Sequence, residues 1–311
     1  MALIREFYYP SCGGVYQVYA RVWMPEADQP LRGVVQIVHG ISEHIGRYDQ
    51  FAQFLTERGF VVCGEDHLGH GQTAKSGTFG YFSTENGWKH VVQDIRHLHE
   101  VTRKDYPKLS YFMLGHSMGS FLVRTYLIDY PGALNGAILS GTGQESAFKL
   151  FVGRLLTAMI CGRRGGAKRV SKTISRMSLG TYNQKFKPNR TRADWISSDE
   201  TIVDAYCKDP FCKDRTTVGA YYDLMRGLQY ISNKKNLHRM EPKTPIYLFS
   251  GGKDPVGAFG KGVSKVRQYF ENEGCTDLTM KIYPDGRHEM LNEINREEVY
   301  RDVLGWLEKH L

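Results

Sequence analysis

Gly115-His116-Ser117-Met118-Gly119 stands between the apolar run Tyr111 to Leu114 and the helical spacing of Ser117 to Asp129. A serine becomes a strong nucleophile where it projects from a strained strand-to-helix turn, and flanking glycines let neighbouring backbone approach. The helix that follows turns its N-terminal amides toward developing negative charge. Such a serine needs a base, and the base needs an orienting carboxylate. In a strand–elbow–helix architecture the three follow in the order serine, acid, histidine, each after a core strand. Downstream, SGGKDPVG puts Asp254 in a Gly-rich turn after the run Ile246 to Phe249, and YPDGRHEMLNE puts His288 after Leu278 to Tyr283. The expected set is Ser117 as nucleophile, His288 as general base and then acid, and Asp254 as orienter. Asp285 is the rival acid, but three residues before His288, beside Pro284 and Gly286, it suits a turn better. A tetrahedral oxyanion needs two amide donors, each worth on the order of 10²–10³ in rate. The backbone N–H of Met118, directly after the serine, and that of Ile41, in VHGISEHIGRY, are the expected pair.

These residues need a scaffold of strands. VYQVYARVWM (Val15 to Met24) alternates as an antiparallel strand does. Val34 to Val38, Phe60 to Cys63, Tyr111 to Leu114, Ala137 to Leu139 and Ile246 to Phe249 are continuous apolar runs of buried-strand type, with Leu278 to Tyr283 weaker. Helical spacing fills the intervals at Tyr48 to Arg58, Trp88 to Lys104, Ser117 to Asp129, Val263 to Glu273 and Glu297 to His310. That alternation implies an α/β fold, a mostly parallel sheet with helices on both faces. Residues 141–240 break the rhythm, with helical stretches such as Phe148 to Ile160 and Thr216 to Leu228 and no convincing strand. They read as a helical cap inserted into a core made of 1–140 and 241–311.

Other chemistries lack their signatures. The histidines include no H-E-x-x-H, since His99-Glu100 runs on to Arg103 and His288-Glu289 to Asn292, so no catalytic metal is expected. Gly141-Thr142-Gly143 is followed by Ser146 where a dinucleotide fingerprint needs glycine. Asp66, in GEDHLGHGQT, reads as a structural turn residue. Six cysteines at irregular spacings suit free thiols in a reducing compartment, and MALIREFYYP has no signal-like apolar stretch. The expectation is a cytoplasmic protein.

The strings HGISEHIGRY, EDHLGHGQT, LGHSMGS, GGKDPVG and GRHEMLNE resemble the α/β-hydrolase superfamily, and within it the monoacylglycerol lipase and lysophospholipase-like serine hydrolases. The resemblance covers roughly residues 10–140 and 240–311, and the interval between sits where that family carries its lid. Ser120 stands where the family's elbow usually has a second glycine. The resemblance implies an α/β-hydrolase fold and hydrolysis of single-chain lipid esters, monoacylglycerols or lysophospholipids, through an acyl-enzyme, without metal or cofactor. Two other readings share the fold: a peptidase of proline-iminopeptidase type, and a non-catalytic binding member.

The formal charge of +8 is unevenly placed. Residues 141–240 hold 19 Lys and Arg against 8 Asp and Glu, a net of +11, which leaves −3 for the remainder. Residues 163–192 alone hold ten basic residues and no acidic one. A basic cap implies transient contact with an anionic membrane or micelle surface. No recognition motif accompanies the charge, so nucleic acid is not an expected partner.

Overall fold

Five of the apolar runs become strands whose interiors lie wholly inside the protein, as continuous Val, Ile, Leu and Phe demand when both sheet faces are covered. In the computed structural model, which describes residues 2–14 and 16–311, the strands are β1 (Leu3–Pro10), β2 (Gln17–Met24), β3 (Gly33–Val38), β4 (Phe60–Glu65), β5 (Ser110–His116), β6 (Gly136–Ser140), β7 (Ile246–Gly251) and β8 (Leu278–Tyr283). They form one sheet in the order β1-β2-β4-β3-β5-β6-β7-β8. β2 runs antiparallel to β1 and β4, and every pair from β4 to β8 is parallel.

The helices are α1 (Asp49–Thr56), α2 (Gly87–Asp105), α3 (Met118–Asp129), α4 (Ala147–Cys161), α5 (Lys172–Ser178), α6 (Glu200–Lys208), α7 (Val218–Tyr230), α8 (Lys234–Leu237), α9 (Lys261–Asn272) and α10 (Arg296–Lys309). Two apolar clusters fill the two sides of the sheet. Val91, Ile95, Leu122, Tyr126 and Phe270 pack on one; Phe51, Leu55, Tyr300, Val303 and Trp306 pack on the other.

The start of the sheet departs from the sequence expectation. The strand expected from Val15 begins at Gln17, and Val15 itself lies outside the described residues. β1, which precedes it, has no counterpart in that expectation. Its side chains are mostly exposed, with Leu3, Ile4 and Tyr8 in solvent, so it carries no buried-face pattern. It is an edge strand held through its pairing with β2.

Register aligns the carboxyl ends of the parallel strands: Val38 pairs with Gly115, His116 with Ser140, Ser140 with Phe249 and Gly251 with Tyr283. The loops after β3, β5, β7 and β8 therefore emerge along one edge, where open α/β sheets present their ligand crevice. Helices α4 to α8 lie between β6 and β7. The buried Arg124 of α3 donates to Gly143 O at 3.0 Å and Ile231 O at 3.4 Å, tying both ends of this insert to the core. Among the described residues no helix is long and apolar enough to cross a membrane.

Candidate active site

Ser117 is the residue between β5 and α3, at φ +53° and ψ −120°. Positive φ is costly for a side chain with a Cβ and persists only where its surroundings enforce it. The enforcement here comes from both sides. Ser117 N–H donates to Ser140 O at 2.9 Å. The first turn of α3 presses so closely on the end of β3 that a Cβ at Gly119 would stand 1.9 Å from Val38 O, and one at Gly115 would stand 2.4 Å from Gly119 O. Ser120, where the resembled family has glycine, fits because its hydroxyl turns back to donate to Ser117 O at 2.6 Å.

His288 Nδ1 and Asp254 Oδ1 are 3.0 Å apart, and both residues are buried. Asp254 is fixed by two further donors, Val256 N–H to Oδ1 at 2.8 Å and Ser250 Oγ–H to Oδ2 at 2.9 Å. The rival Asp285 is far more open, its side chain 94% exposed and paired with Lys253 at 2.8 Å. Burial by itself depresses the His288 imidazole, but the Asp254 carboxylate beside it, reinforced by Glu289 and Glu43, lifts it above the ordinary histidine value. His116, whose ring centroid is 4.7 Å from that of His288, goes the other way: burial and the neighbouring His288 push it down to about 3. One imidazole is thus ready to take a proton while its neighbour stays neutral.

A cavity joins Ser117 and His288 to Gly40 and Ile41 on one side and to Trp195, Ile196 and Tyr206 of the insert on the other. It offers about 20 Å³ to the centre of a water-sized sphere, room for about one water. Ile41 lines the same cavity as Ser117, and Met118 is the first residue of α3, whose first-turn amides lack helical partners. The insert closes the other side by pairing with the histidine loop: Glu289 N–H donates to Ile196 O at 2.7 Å and His288 N–H to Trp195 O at 3.4 Å.

A buried charge network under the cavity goes beyond what the sequence assigns. Arg47 donates to both Glu289 oxygens, at 2.7 and 2.6 Å, and to Glu43 at 2.9 Å. Glu43 also accepts from Tyr48 Oη–H at 3.0 Å and from Gly40 N–H. Burial raises both carboxyls; the bidentate Arg47 brings Glu289 below the ordinary range, whereas Glu43 stays above it. The E-H-x-x-R-Y part of HGISEHIGRY thereby binds the loop bearing Gly40 and Ile41 to the residue after His288. The string is conspicuous in the sequence, but its partner lies 242 positions away. Arg47→Met leaves two buried carboxylates without their cation, at a cost of about 3–5 kcal/mol. Thermal unfolding should show a melting temperature lower by roughly 5–8 °C, and a shift under ~2 °C would contradict the network.

The strand order, the positive-φ serine after β5 and the buried His288–Asp254 pair on the loops after β8 and β7 define an α/β hydrolase. The chain belongs to the serine aminopeptidase S33 family, whose pattern matches residues 29–295. It is 29% identical over 306 residues to a monoacylglycerol lipase of Mycolicibacterium smegmatis, covering 98% of each chain. It is 25% identical over 301 residues to the Homo sapiens monoglyceride lipase, covering 93% of this chain and 86% of that one. A carboxyl esterase from Bacillus coagulans, solved in complex with glycerol, superposes with a TM-score of 0.91 at 31% identity, with 99% of each chain covered.

Proposed function

We propose that this protein is a serine hydrolase that cleaves the carboxylic esters of single-chain lipids, monoacylglycerols first and lysophospholipids second. The observation that carries the reading is the buried 3.0 Å pairing of Asp254 with His288, which in turn lines one cavity with Ser117. The relatives named monoacylglycerol lipase support the substrate class. Ser117 Oγ attacks the ester carbonyl as His288 takes its proton, and the Ile41 and Met118 amides receive the oxyanion. His288 then returns the proton to the departing alcohol, leaving an acyl-enzyme that water cleaves by the same steps reversed.

The aminopeptidase in the family's description calls for a carboxylate free to hold a substrate's α-ammonium. The two carboxylates lining this cavity, Glu43 and Glu289, are both engaged by Arg47, which favours the ester reading. Parallel assays of a monoacylglycerol, a p-nitrophenyl ester and a proline naphthylamide decide it. The esters should be cleaved and the amide spared; preferential amide cleavage would overturn the proposal.

Residues 141–240 serve in this reading as the cap, and their surface supports contact with an anionic lipid interface. Phe148, Phe151, Leu155 and Met159 follow helical spacing along α4 and are exposed, Phe148 by 76% and Met159 by 62%. All ten basic residues of 163–192 are exposed beside them in sequence. An apolar helix face with adjacent Lys and Arg suits an anionic membrane surface. Raising salt should slow hydrolysis of monoacylglycerol in anionic vesicles several-fold, because the attraction is screened within about 10 Å at 0.1 M. A short soluble ester should be little affected, and equal salt responses of the two substrates would remove the membrane contact.

A further inference from the structure

Three donor side chains that no sequence spacing relates meet where the loop after β3 touches the insert. His44 precedes the short 3-10 turn Ile45–Tyr48, and Asp209 and Cys212 bracket the 3-10 turn Pro210–Cys212. His44 Nε2 lies 2.9 Å from Asp209 Oδ2. The imidazole nitrogen, the carboxylate oxygen and the Cys212 sulfur all fall within 4.8 Å of one another. The His44 and Asp209 side chains are 19% and 26% exposed, whereas Cys212 is buried behind them. A cation can therefore arrive from solvent and find the sulfur on the protein side. Asp209 is already oriented, since its Oδ1 accepts the Phe211 N–H at 2.8 Å and leaves Oδ2 directed at His44.

The geometry points to a binding site for a thiophilic divalent cation such as Zn²⁺ on His44, Asp209 and Cys212, one that staples the insert to the loop carrying Ile41. One nitrogen, one carboxylate oxygen and one thiolate with a fourth position open are the donors a tetrahedral zinc accepts, and hard cations such as Mg²⁺ do not choose sulfur. Bonds of about 2.0–2.3 Å set tetrahedral ligands roughly 3.3–3.8 Å apart, so the three atoms need to shift by ~1 Å or less.

Protons balance simply. His44 moves its ring proton from Nε2 to Nδ1, Asp209 is ionised, its carboxyl held below the ordinary range against burial by the His44 contact, and the Cys212 thiol releases one proton to solvent per cation bound. Burial raises that thiol above its ordinary value, so the cation has to displace the proton. Of the cations around the site, Arg47 is paired with Glu43 and Glu289, the Arg192 guanidinium donates to Cys212 O at 3.3 Å, and the Lys75 ammonium stands over the Phe211 ring, 5.5 Å from its centroid.

The staple has a consequence that rests on the hydrolase reading, although the site itself does not. The loop with Gly40 and Ile41 and the insert with Trp195, Ile196 and Tyr206 both line the cavity at Ser117, so a filled site holds the insert against that loop and opposes any movement of the insert that admits an acyl chain.

Cadmium titration of the whole protein, followed by the ultraviolet thiolate-to-metal charge-transfer band, tests the site without reference to activity. The band should saturate at one equivalent, vanish in Cys212→Ser and weaken in apparent affinity by at least about tenfold in His44→Gln. Bands from other thiols would survive in both variants. No band, or a band unchanged in both variants, overturns the site. His44 is partly exposed, so His44→Gln tests the site even where the buried Cys212→Ser fails to fold. At a Zn²⁺ concentration that just fills the site of the unaltered protein, monoacylglycerol hydrolysis by that protein should slow, whereas the more weakly binding His44→Gln should keep more of its own metal-free rate. Undiminished turnover with the cadmium band present overturns the staple.

Discussion

Ser117→Ala is expected to lose about 10⁶ of kcat on any ester the protein cleaves and to stop labelling by a fluorophosphonate probe, while unfolding at nearly the same temperature. The fold should tolerate the change because the hydroxyl is not what holds the turn. Ser117 is tied by its own backbone, through N–H to Ser140 O at 2.9 Å and through its carbonyl, which accepts from Ser120 N–H at 2.9 Å. Alanine carries the same Cβ and meets the same φ of +53°, so the backbone strain of the turn is unchanged. What disappears is the group that would form the acyl-enzyme. A residual rate over water survives from oriented binding and the oxyanion donors alone. Labelling of Ser117→Ala, or retention of more than ~1% of kcat against the 10⁶-fold loss expected for a nucleophile, would place the nucleophile elsewhere. Failure of the folded unaltered protein to label would favour a non-catalytic member of the fold.

The strands before the candidate serine and the candidate acid were legible in the sequence because β5 and β7 are continuous apolar runs buried on both faces, whereas β8, before His288, is half-buried along most of its length and reads more weakly. β3, β4, β6 and β7 are buried at every position, so their apolar runs announce where a chain segment ends at the crevice. β1 was illegible for the converse reason: an edge strand with exposed Leu3, Ile4 and Tyr8 carries no face pattern, and its partner is fixed by hydrogen bonds that sequence does not display. The insert was legible as helical but not in its arrangement. Trp195 and Ile196, which close the cavity, lie in a stretch without helical or strand periodicity and are placed by backbone pairing with the histidine loop. Arg47 was visible only as part of a string, because its meaning depends on Glu289, and charge pairs between distant segments leave no spacing to read.

Asp254→Asn should lower kcat/KM by on the order of 10²–10⁴ and, more tellingly, move its acid limb to lower pH. Val256 N–H and His288 both address Oδ1, and Ser250 Oγ–H addresses Oδ2. An asparagine keeps its oxygen on the first pair and turns its NH₂ to the serine hydroxyl, which then accepts. His288 retains its tautomer and orientation, and the change removes a charge with little change of shape. The sign follows from what surrounds the ring. Burial favours the neutral imidazole, and Asp254 is the largest influence opposing it. Glu289 and Glu43 add smaller contributions to that of Asp254 while sharing the single cation Arg47, and His116 stays neutral. In the unaltered protein His288 is therefore protonated up to a pH above the ordinary histidine value, and kcat/KM should climb as pH rises through that point. Without the carboxylate the imidazolium loses its main support, its pKa drops, and the limb shifts downward even as the plateau falls. Asp285→Asn, at an exposed residue paired with Lys253, should change neither the plateau nor the limb. Profiles of kcat/KM against pH on a p-nitrophenyl ester for all three proteins separate the two acids. A limb that stays in place in Asp254→Asn and moves in Asp285→Asn would reverse the assignment.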